Sequence, residues 1–372
     1  MTVPSVIEAA LRSAVQDRVF PGCVLAVRLA GELKFIAAAG TLASDPGSRP
    51  VDSSTVYDLA SLTKPLVTVT SILLLVQESQ LSLDAAANSI LPELEGRPIG
   101  SSTPRHLLSH CTGLPGWGPL SERLTGQMPA GSMPEAIRPA VLNMIREEPL
   151  IYEPGSRSLY SDLGFILLGF MIEQIGGRRL DRWFQTRLAG PLGASPLMFL
   201  PTGAARSDRT ITCDRLAPTE WNEAEQRYLC GEVHDDNALA MGGVAGHAGL
   251  FGTAAAVLKI SEIWLNAWQG KPSPLDPDLV RLFTRRDGRI PGSSWALGWD
   301  TPTEPSSSGA HFSPESFGHL GYTGTSLWID PLVGMEVVLL SNRVHPSRKN
   351  EQIRRFRPVI HDLIMEEYGV RR

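Results

Sequence analysis

The stretch Ser61-Leu62-Thr63-Lys64 places a possible nucleophile three residues before a possible base. On a helix, residues three apart share one face and come within reach of each other. A serine hydroxyl is a poor nucleophile at neutral pH and needs a neighbour that takes its proton. A lysine can do this where burial lowers its pKa, because desolvation disfavours the ammonium form.

The spacing is suggestive but does not decide the function alone. Of the five lysines in the chain, only Lys64 follows a serine by three residues. The plainer interpretation is a helix N-terminus with a serine near its cap and a lysine on the surface. Partners elsewhere in the sequence therefore decide between the two.

The overall composition is that of an ordinary globular protein. The 372 residues are 42% hydrophobic and 20% charged, and the formal net charge is −5. A chain without a basic surplus is not expected to bind nucleic acid. The length predicts two lobes or one large domain with insertions.

The N-terminal segment has no pattern of an export signal. Glu8, Arg12 and Arg18 interrupt what would be the apolar part of a signal peptide, so 5–18 is predicted as an amphipathic helix. The most apolar run, 65–76, is too short to span a bilayer. We therefore expect a cytoplasmic protein that does not associate with membranes.

Strand patterns lie mainly at the two ends of the chain, with helix patterns between them. Apolar runs next to turn signals predict strands at 23–28, 33–39, 295–299, 318–321, 325–329 and 335–341. Helical periodicity predicts helices at 5–18, 61–77, 134–147, 162–176, 179–188, 254–268, 276–285 and 350–368.

This order predicts an α/β (α+β) fold in which the N- and C-terminal segments form an antiparallel sheet flanked by helices. Residues 1–80 and 290–372 would make the α/β lobe, and residues 81–289 an inserted, mostly helical lobe. Together they would form one catalytic domain with the site in a cleft. Ser61 would lie near a helix N-terminus, where backbone N–H groups favour a developing oxyanion.

A second candidate segment precedes the predicted helix 162–176. Tyr160 and Asp162 stand on a turn there, and Asp162 is a plausible N-cap. A tyrosine can pass protons to a leaving group as a general acid. The alternative is a simple helix cap beside a half-buried tyrosine.

A third candidate segment, 317–331, places a histidine among glycines at the start of a predicted strand. Glycines such as Gly321 let the backbone lie close to a bound substrate. The alternative is a glycine-rich strand edge with a solvated histidine.

Three motifs in this order resemble those of the serine β-lactamase and penicillin-binding-protein superfamily. Its S-x-x-K, Y-x-N and K-T-G motifs match Ser61-x-x-Lys64, Tyr160-Ser161-Asp162 and His319-Leu320-Gly321. The flanks 20–22, 107–115 and 154–155 are similar to the class C-like branch, which includes family VIII carboxylesterases and D-amino-acid peptidases. The resemblance runs from about residue 8 to residue 365.

The resemblance implies a role for each motif residue. Ser61 would attack an ester or amide carbonyl and carry the acyl group, with Lys64 as the adjacent base. Tyr160 would act as a shared acid and base, and the backbone N–H groups of Ser61 and Tyr322 would bind the oxyanion. No metal ion or organic cofactor is implied.

Three residues depart from the superfamily's pattern. Asp162 stands where asparagine is usual, so it cannot donate an amide N–H to substrate and would raise the pKa of Lys64. His319 and Leu320 replace the lysine and hydroxyl residue that hold a substrate carboxylate in β-lactamases, and histidine is mostly neutral at pH 7. We therefore expect β-lactam hydrolysis to be weak or absent.

A fourth segment, 231–238 followed by 242–252, is similar to a signature of muropeptide amidases and related cell-wall hydrolases. It would form a glycine-rich wall of the cleft with His234 or His247 near the substrate. A purely structural role for these histidines is the alternative. Their spacing with nearby aspartates fits no standard ligand set, so no metal site is predicted.

Three functions therefore stay open. The weakened carboxylate clamp favours a serine hydrolase of carboxylesterase type acting on a small ester or amide. The histidine segment favours a muropeptide or D-amino-acid peptide amidase or carboxypeptidase. A catalytically silent binding protein on the same fold is the third, although the joint presence of Ser61, Lys64 and Tyr160 argues against it. The sequence predicts no oligomeric state.

Overall fold

The computed structural model describes residues 2–127, 134–202 and 213–370. Its strands are β1 (Gly22–Leu29), β2 (Glu32–Gly40), β3 (Tyr57–Asp58), β4 (Leu197–Phe199), β5 (Trp221–Asn222), β6 (Arg227–Tyr228), β7 (Leu250–Gly252), β8 (Phe317–Leu320), β9 (Ser326–Asp330) and β10 (Met335–Ser341). Its α-helices are α1 (Ser5–Gln16), α2 (Thr70–Gln77), α3 (Pro104–Leu108), α4 (Leu120–Gln127), α5 (Pro134–Arg146), α6 (Asp162–Gly176), α7 (Leu180–Phe184), α8 (Asp236–Ala240), α9 (Ala254–Trp268), α10 (Pro277–Thr284) and α11 (Ile353–Glu367).

The main sheet joins the two ends of the chain. Its five strands are antiparallel and stand in the order β2-β1-β10-β9-β8. Strand β1 pairs with β10 from Cys23 opposite Ser341 to Leu29 opposite Met335. The predicted α/β fold with an antiparallel terminal sheet is therefore confirmed, whereas the boundaries of the two lobes stay a prediction.

The main sheet is buried on both faces. Alternate side chains of β1 enter two different hydrophobic cores, one on each face. Val24 and Ala26 belong to the larger core. Leu25 and Val27 belong to the smaller core, which includes side chains of α1 and α11. A strand buried on both faces is a nearly continuous apolar run in sequence, as 22–29 is.

The helix predicted for 61–77 forms in three parts. A 3₁₀ turn covers Ala60–Leu62, a π-helical segment covers Lys64–Val69, and α2 follows. Such π-helical segments are rare and often occur at functional sites. By length and composition, Ala60–Gln77 could cross a membrane, but 83% of it is buried inside the protein, which makes it weak evidence for a membrane span.

A small sheet places the start of this helical stretch. Strand β7 lies between β3 and β4, with Tyr57 opposite Gly252 and Asp58 opposite Phe251. The chain leaves β3 and enters the 3₁₀ turn within two residues. The glycine-rich segment that ends in β7 is thereby fixed beside Ser61.

The strand predicted at 295–299 is wrong. Trp295 and Asp300 form only an isolated bridge, and the chain turns back at Gly298, whose φ is +81°. A Cβ on Gly298 would lie 2.2 Å from the Val69 side chain. The apolar character of this stretch therefore reflects a buried turn packed on the π-helical segment.

Candidate active site

The backbone just before Ser61 adopts an unusual conformation. Ala60 has a φ of +47°, which is unfavourable for a residue with a Cβ. The Asp58 carboxylate accepts the N–H of Ala60 at 2.8 Å and the N–H of His234 at 2.7 Å. Backbone strain of this kind persists where the surroundings fix it, and it clusters at active sites.

Lys64 lies buried at the centre of the site. Its Nζ donates to Ser61 Oγ at 3.0 Å and to the His247 carbonyl at 3.0 Å. It also forms an ion pair with Asp162 Oδ1 at 2.7 Å. Because the side chain has no exposed surface, the alternative of a surface lysine is wrong.

The neighbouring charges keep Lys64 protonated in the resting protein. Burial lowers the pKa of Lys64, but Asp162 and Tyr160 outweigh burial and raise that pKa above its ordinary value. Burial likewise raises the pKa of Tyr160, although Lys64 opposes this. The condition under which burial alone would make Lys64 a neutral base is therefore not met, and the expected effect of Asp162 on the pKa of Lys64 is confirmed in direction.

Tyr160 is held by His110, which the sequence patterns do not single out. The two rings lie 4.6 Å apart between centroids. The His110 carbonyl accepts the Leu159 N–H at 2.9 Å, and His110 Nδ1 accepts the Ser161 N–H at 3.1 Å. Burial lowers the pKa of His110 well below its ordinary value, so the ring is neutral and Nδ1 is free to accept.

Trp295 completes the aromatic surroundings of Tyr160. Its ring centroid lies 5.3 Å from that of Tyr160 and 4.6 Å from that of His110. The strand predicted at 295–299 does not indicate this role, and the structure has a turn at Gly298 in its place.

Asp162 is the first residue of α6 and is not its N-cap. Ser161 takes the N-cap position, where its side chain accepts the Gly164 N–H at 3.4 Å. The predicted cap is therefore wrong by one residue. Because a serine caps the helix, the Asp162 carboxylate can face Lys64 instead.

The turn between β8 and β9 lies directly against the segment that leads to Ser61. Thr323 Oγ1 donates to the Asp58 carbonyl at 2.7 Å, and Thr325 Oγ1 donates to the Leu59 carbonyl at 3.0 Å. A Cβ on Gly321 would lie 1.9 Å from Thr325 Oγ1 and 2.6 Å from the Leu59 carbonyl oxygen. Only glycine allows this approach.

Two backbone donors are available beside this turn. Across the described parts of the chain, the N–H groups of Ser61 and Tyr322 have no hydrogen-bond acceptor. These are the two groups that the family resemblance assigns to the oxyanion hole. The Tyr322 side chain itself is 51% exposed.

His319 lies on β8 with its ring turned toward Tyr160. The two ring centroids are 6.0 Å apart, and His319 Nδ1 lies 2.8 Å from the Leu320 carbonyl oxygen. Burial, with a smaller contribution from Lys64, lowers the pKa of His319 to about 3. The ring therefore has no charge to offer a substrate carboxylate at neutral pH.

His247 and His234 are each engaged with a carboxylate. His247 Nε2 lies 2.8 Å from Asp235 Oδ1, and only the His247 carbonyl reaches Lys64. His234 Nε2 lies 3.1 Å from Glu220 Oε2, and its ring stacks on that of Tyr322. Among the described residues, no group of three or more His, Cys, Asp or Glu side chains is placed to hold a metal ion.

Comparison with known proteins identifies the family. A family model described as Beta-lactamase matches residues 7–359. The chain belongs to the β-lactamase family. A Salmonella agona (strain SL483) protein named "Putative D-alanyl-D-alanine carboxypeptidase" is 31% identical over 318 residues, which cover 81% of this chain and 72% of that protein.

Solved structures share the fold of this β-lactamase-family protein at lower identity. EstCE1, a hydrolase with promiscuous acyltransferase activity, is 23% identical, with a TM-score of 0.71 over 95% of this chain and 97% of its own. Unliganded simvastatin synthase (LovD) from Aspergillus terreus is 21% identical, with a TM-score of 0.73 over 98% of each chain. The octameric penicillin-binding protein homologue from Pyrococcus abyssi is 20% identical, with a TM-score of 0.73 over 98% of this chain and 77% of its own.

Proposed function

We propose that this β-lactamase-family protein hydrolyses small, uncharged esters through an acyl-enzyme on Ser61. The contact that carries the proposal is the one between Lys64 Nζ and Ser61 Oγ at 3.0 Å, inside a half-buried group that also contains Asp162 and Tyr160. Once the Lys64–Tyr160 pair has lost a proton, this contact joins a nucleophile to an adjacent proton acceptor, which is the arrangement that covalent catalysis requires.

The proton path follows from the charges of the site. Lys64 is an ammonium and Tyr160 a phenol at rest, so the pair must first lose one proton before it can accept another. Ser61 Oγ then bonds to the substrate carbonyl carbon, and its proton moves to the pair while the N–H groups of Ser61 and Tyr322 bind the oxyanion. The pair returns that proton to the leaving alcohol, and water repeats the sequence to release the acid.

The walls of the site favour an apolar ester over a carboxylate. His319 stands in the position of the usual carboxylate-binding lysine but is neutral, since its pKa lies at about 3. Trp117, Leu159 and Tyr322 are exposed large hydrophobic residues. Leu159 is next to Tyr160 in the chain. Trp117 comes directly after Gly116, whose carbonyl accepts the Asp162 N–H at 2.9 Å. Exposed apolar side chains beside a nucleophile are suited to bind an apolar acyl or alcohol group.

A peptidase acting on D-alanyl peptides is the second candidate. The name of the Salmonella agona relative, at 31% identity, supports it. Such a substrate ends in a carboxylate and needs a cation near its terminal residue. This candidate therefore predicts that a charged substrate is preferred to a neutral one.

A turnover comparison tests the two candidates. The substrates are p-nitrophenyl butyrate, p-nitrophenyl hydrogen succinate, nitrocefin and a peptide ending in D-Ala-D-Ala. We expect the butyrate to be hydrolysed fastest, nitrocefin weakly or not at all, and all turnover to be lost in Ser61→Ala. Ser13→Ala, an exposed serine on α1, is the matched control and should retain full activity.

Two results would overturn the proposal. Ester turnover that survives Ser61→Ala would rule out the acyl-enzyme. A preference for the succinate or for the peptide would replace the esterase with the carboxypeptidase.

A further inference from the structure

Arg357 is a buried cation behind the candidate oxyanion hole. It lies on α11 and is 5% exposed. Its Nη2 donates to the Gly321 carbonyl at 3.0 Å and to the Thr325 carbonyl at 2.8 Å. Within 2–127, 134–202 and 213–370, no carboxylate lies at ion-pair distance from Arg357, and its Nε has no hydrogen-bond partner.

Such a placement is energetically unfavourable by itself. A buried charge without a counter-ion costs several kcal/mol, and a neutral donor could satisfy two carbonyl groups. The turn also has other attachments, because the Gly321 N–H donates to the Thr325 carbonyl at 2.8 Å and two threonine hydroxyls tie it to the segment before Ser61. Holding the turn in place therefore does not account for a guanidinium.

The identity of one carbonyl group gives a reason for the charge. The Gly321 carbonyl and the Tyr322 N–H belong to the same planar peptide group, whose bonds are conjugated. Arg357 binds the oxygen end of that group, and the nitrogen end is the donor proposed for the substrate oxyanion. Consecutive hydrogen bonds polarise one another, so a cation on the carbonyl makes the N–H a stronger donor.

We propose that Arg357 is a positioning residue that polarises the Gly321–Tyr322 peptide and so strengthens the contact between the Tyr322 N–H and the substrate oxyanion. The inference rests on the proposed function, because it needs a carbonyl substrate bound to Ser61. Arg343 binds the next carbonyl, that of Tyr322, at 2.8 Å. That carbonyl belongs to the following peptide group, so Arg343 does not act on the donor in this way.

The test uses the stretching frequency of the acyl carbonyl in the Ser61 acyl-enzyme. An ester labelled with ¹³C at its carbonyl is mixed with the full-length protein, and the isotope-edited infrared difference spectrum is recorded. Arg357→Gln removes the charge but keeps a donor, and Arg357→Lys keeps a group that is charged only below its own pKa, which the same burial lowers. The matched control is His361→Asn, one turn further along α11. Among the described residues, the one hydrogen-bond partner of this buried histidine side chain is the Ser307 carbonyl.

We expect the acyl carbonyl frequency to rise in Arg357→Gln, and kcat to fall about tenfold with KM unchanged. Removal of a complete oxyanion donor costs about 10²–10³-fold in kcat, so weakening one donor should cost less. Arg357→Lys should fall between the wild type and Arg357→Gln. His361→Asn should lower the melting temperature without changing the frequency or kcat.

The outcomes separate this inference from the function on which it rests. If the wild type forms no Ser61 adduct, the proposed function fails. If the adduct forms and a folded Arg357→Gln keeps the wild-type frequency, only the role of Arg357 fails. If His361→Asn loses as much kcat as Arg357→Gln, the effect of Arg357 is one of packing and its proposed role also fails. If Arg357→Gln does not fold, Arg357→Lys is measured at high pH, where the lysine loses its charge. An acyl carbonyl frequency and a kcat equal to those of the wild type under these conditions would contradict the inference.

Discussion

At the scale of single residues, the site depends on one buried ion pair. Lys64 contacts Ser61, the proposed nucleophile, and Asp162 holds Lys64 in the charged form. A carboxylate at this position makes the Lys64–Tyr160 pair harder to deprotonate, since it raises the pKa of both groups. In the proposed mechanism the pair must lose a proton before Ser61 attacks the substrate, so we expect activity to increase with pH.

Asp162→Asn should move this pH dependence to lower pH. Removal of the negative charge lowers the pKa of both Lys64 and Tyr160, and a nearby opposite charge typically shifts a pKa by about 1–3 units. We expect the rising limb of kcat/KM for p-nitrophenyl butyrate to shift down by about one pH unit or more. Asp162→Glu, which keeps the charge, is the control. A limb that stays in place or moves to higher pH would contradict the charge assignment.

His110→Phe tests the residue that holds Tyr160. Phenylalanine keeps a ring beside Tyr160 but leaves the buried Ser161 N–H without its acceptor, and an unsatisfied buried donor costs about 1–3 kcal/mol. We expect a loss of stability of that size in chemical denaturation and a lower kcat. His110→Asn, which retains an acceptor, should lose less of both. Equal effects of the two changes would show that the hydrogen bond is unimportant.

At the scale of elements, short irregular segments place the reactive groups. A two-residue strand, a 3₁₀ turn and a π-helical segment carry Ser61 and Lys64, and a glycine turn presents Tyr322. Longer elements supply the support. The main sheet includes a further buried acidic residue, Glu336 on β10, whose carboxyl group accepts hydrogen bonds from Ser261 on α9 and from Arg28 on β1.

Glu336 should make the stability of the protein depend on pH. Burial raises the pKa of Glu336 from 4.5 to about 7. The folded protein therefore binds this proton more tightly than the unfolded chain, so the stabilisation is complete below about pH 4.5 and is lost as the pH rises through about 7. The loss amounts to at most about 3 kcal/mol at 1.36 kcal/mol per unit.

Glu336→Gln should remove this part of the pH dependence. The difference in the free energy of unfolding between pH 5 and pH 8 should be smaller in the variant than in the wild type. Arg28 keeps Glu262 and the Leu258 carbonyl as partners in that variant. Glu262→Gln is the control, because Glu262 contacts the same arginine from a partly exposed position. An unchanged difference in Glu336→Gln would mean that Glu336 is ionised throughout.

At the scale of the whole molecule, periodic patterns were sufficient for the long elements. Helix α9 and strand β10 begin and end at the residues that the apolar pattern predicts. The terminal sheet follows from apolar runs at both ends of the chain. Strand β3 is too short to have a period, and the π-helical segment has no known sequence signal, so neither was predictable in this way.

Some residues of the candidate site could likewise be predicted from the sequence, and others could not. The motif spacing and the family resemblance single out Ser61, Lys64 and Tyr160, which the structure brings together, and their catalytic roles stay a prediction. Trp295, His110 and Arg357 were not predictable, because their roles depend on contacts between distant parts of the chain. Arg357 follows Ile353 by four residues and precedes Ile360 by three, so helical spacing places it on the buried face of α11, but only the structure shows which carbonyl groups it binds.

The most direct test of the central claim is the intact mass of the protein during turnover of p-nitrophenyl butyrate. An acyl-enzyme on Ser61 predicts a species heavier by one butyryl group, with the modification located on the peptide that contains Ser61. Asp162→Asn should still form this species, whereas Ser61→Ala should form none. Hydrolysis of the ester without any such species, or with the butyryl group on another residue, would contradict the account.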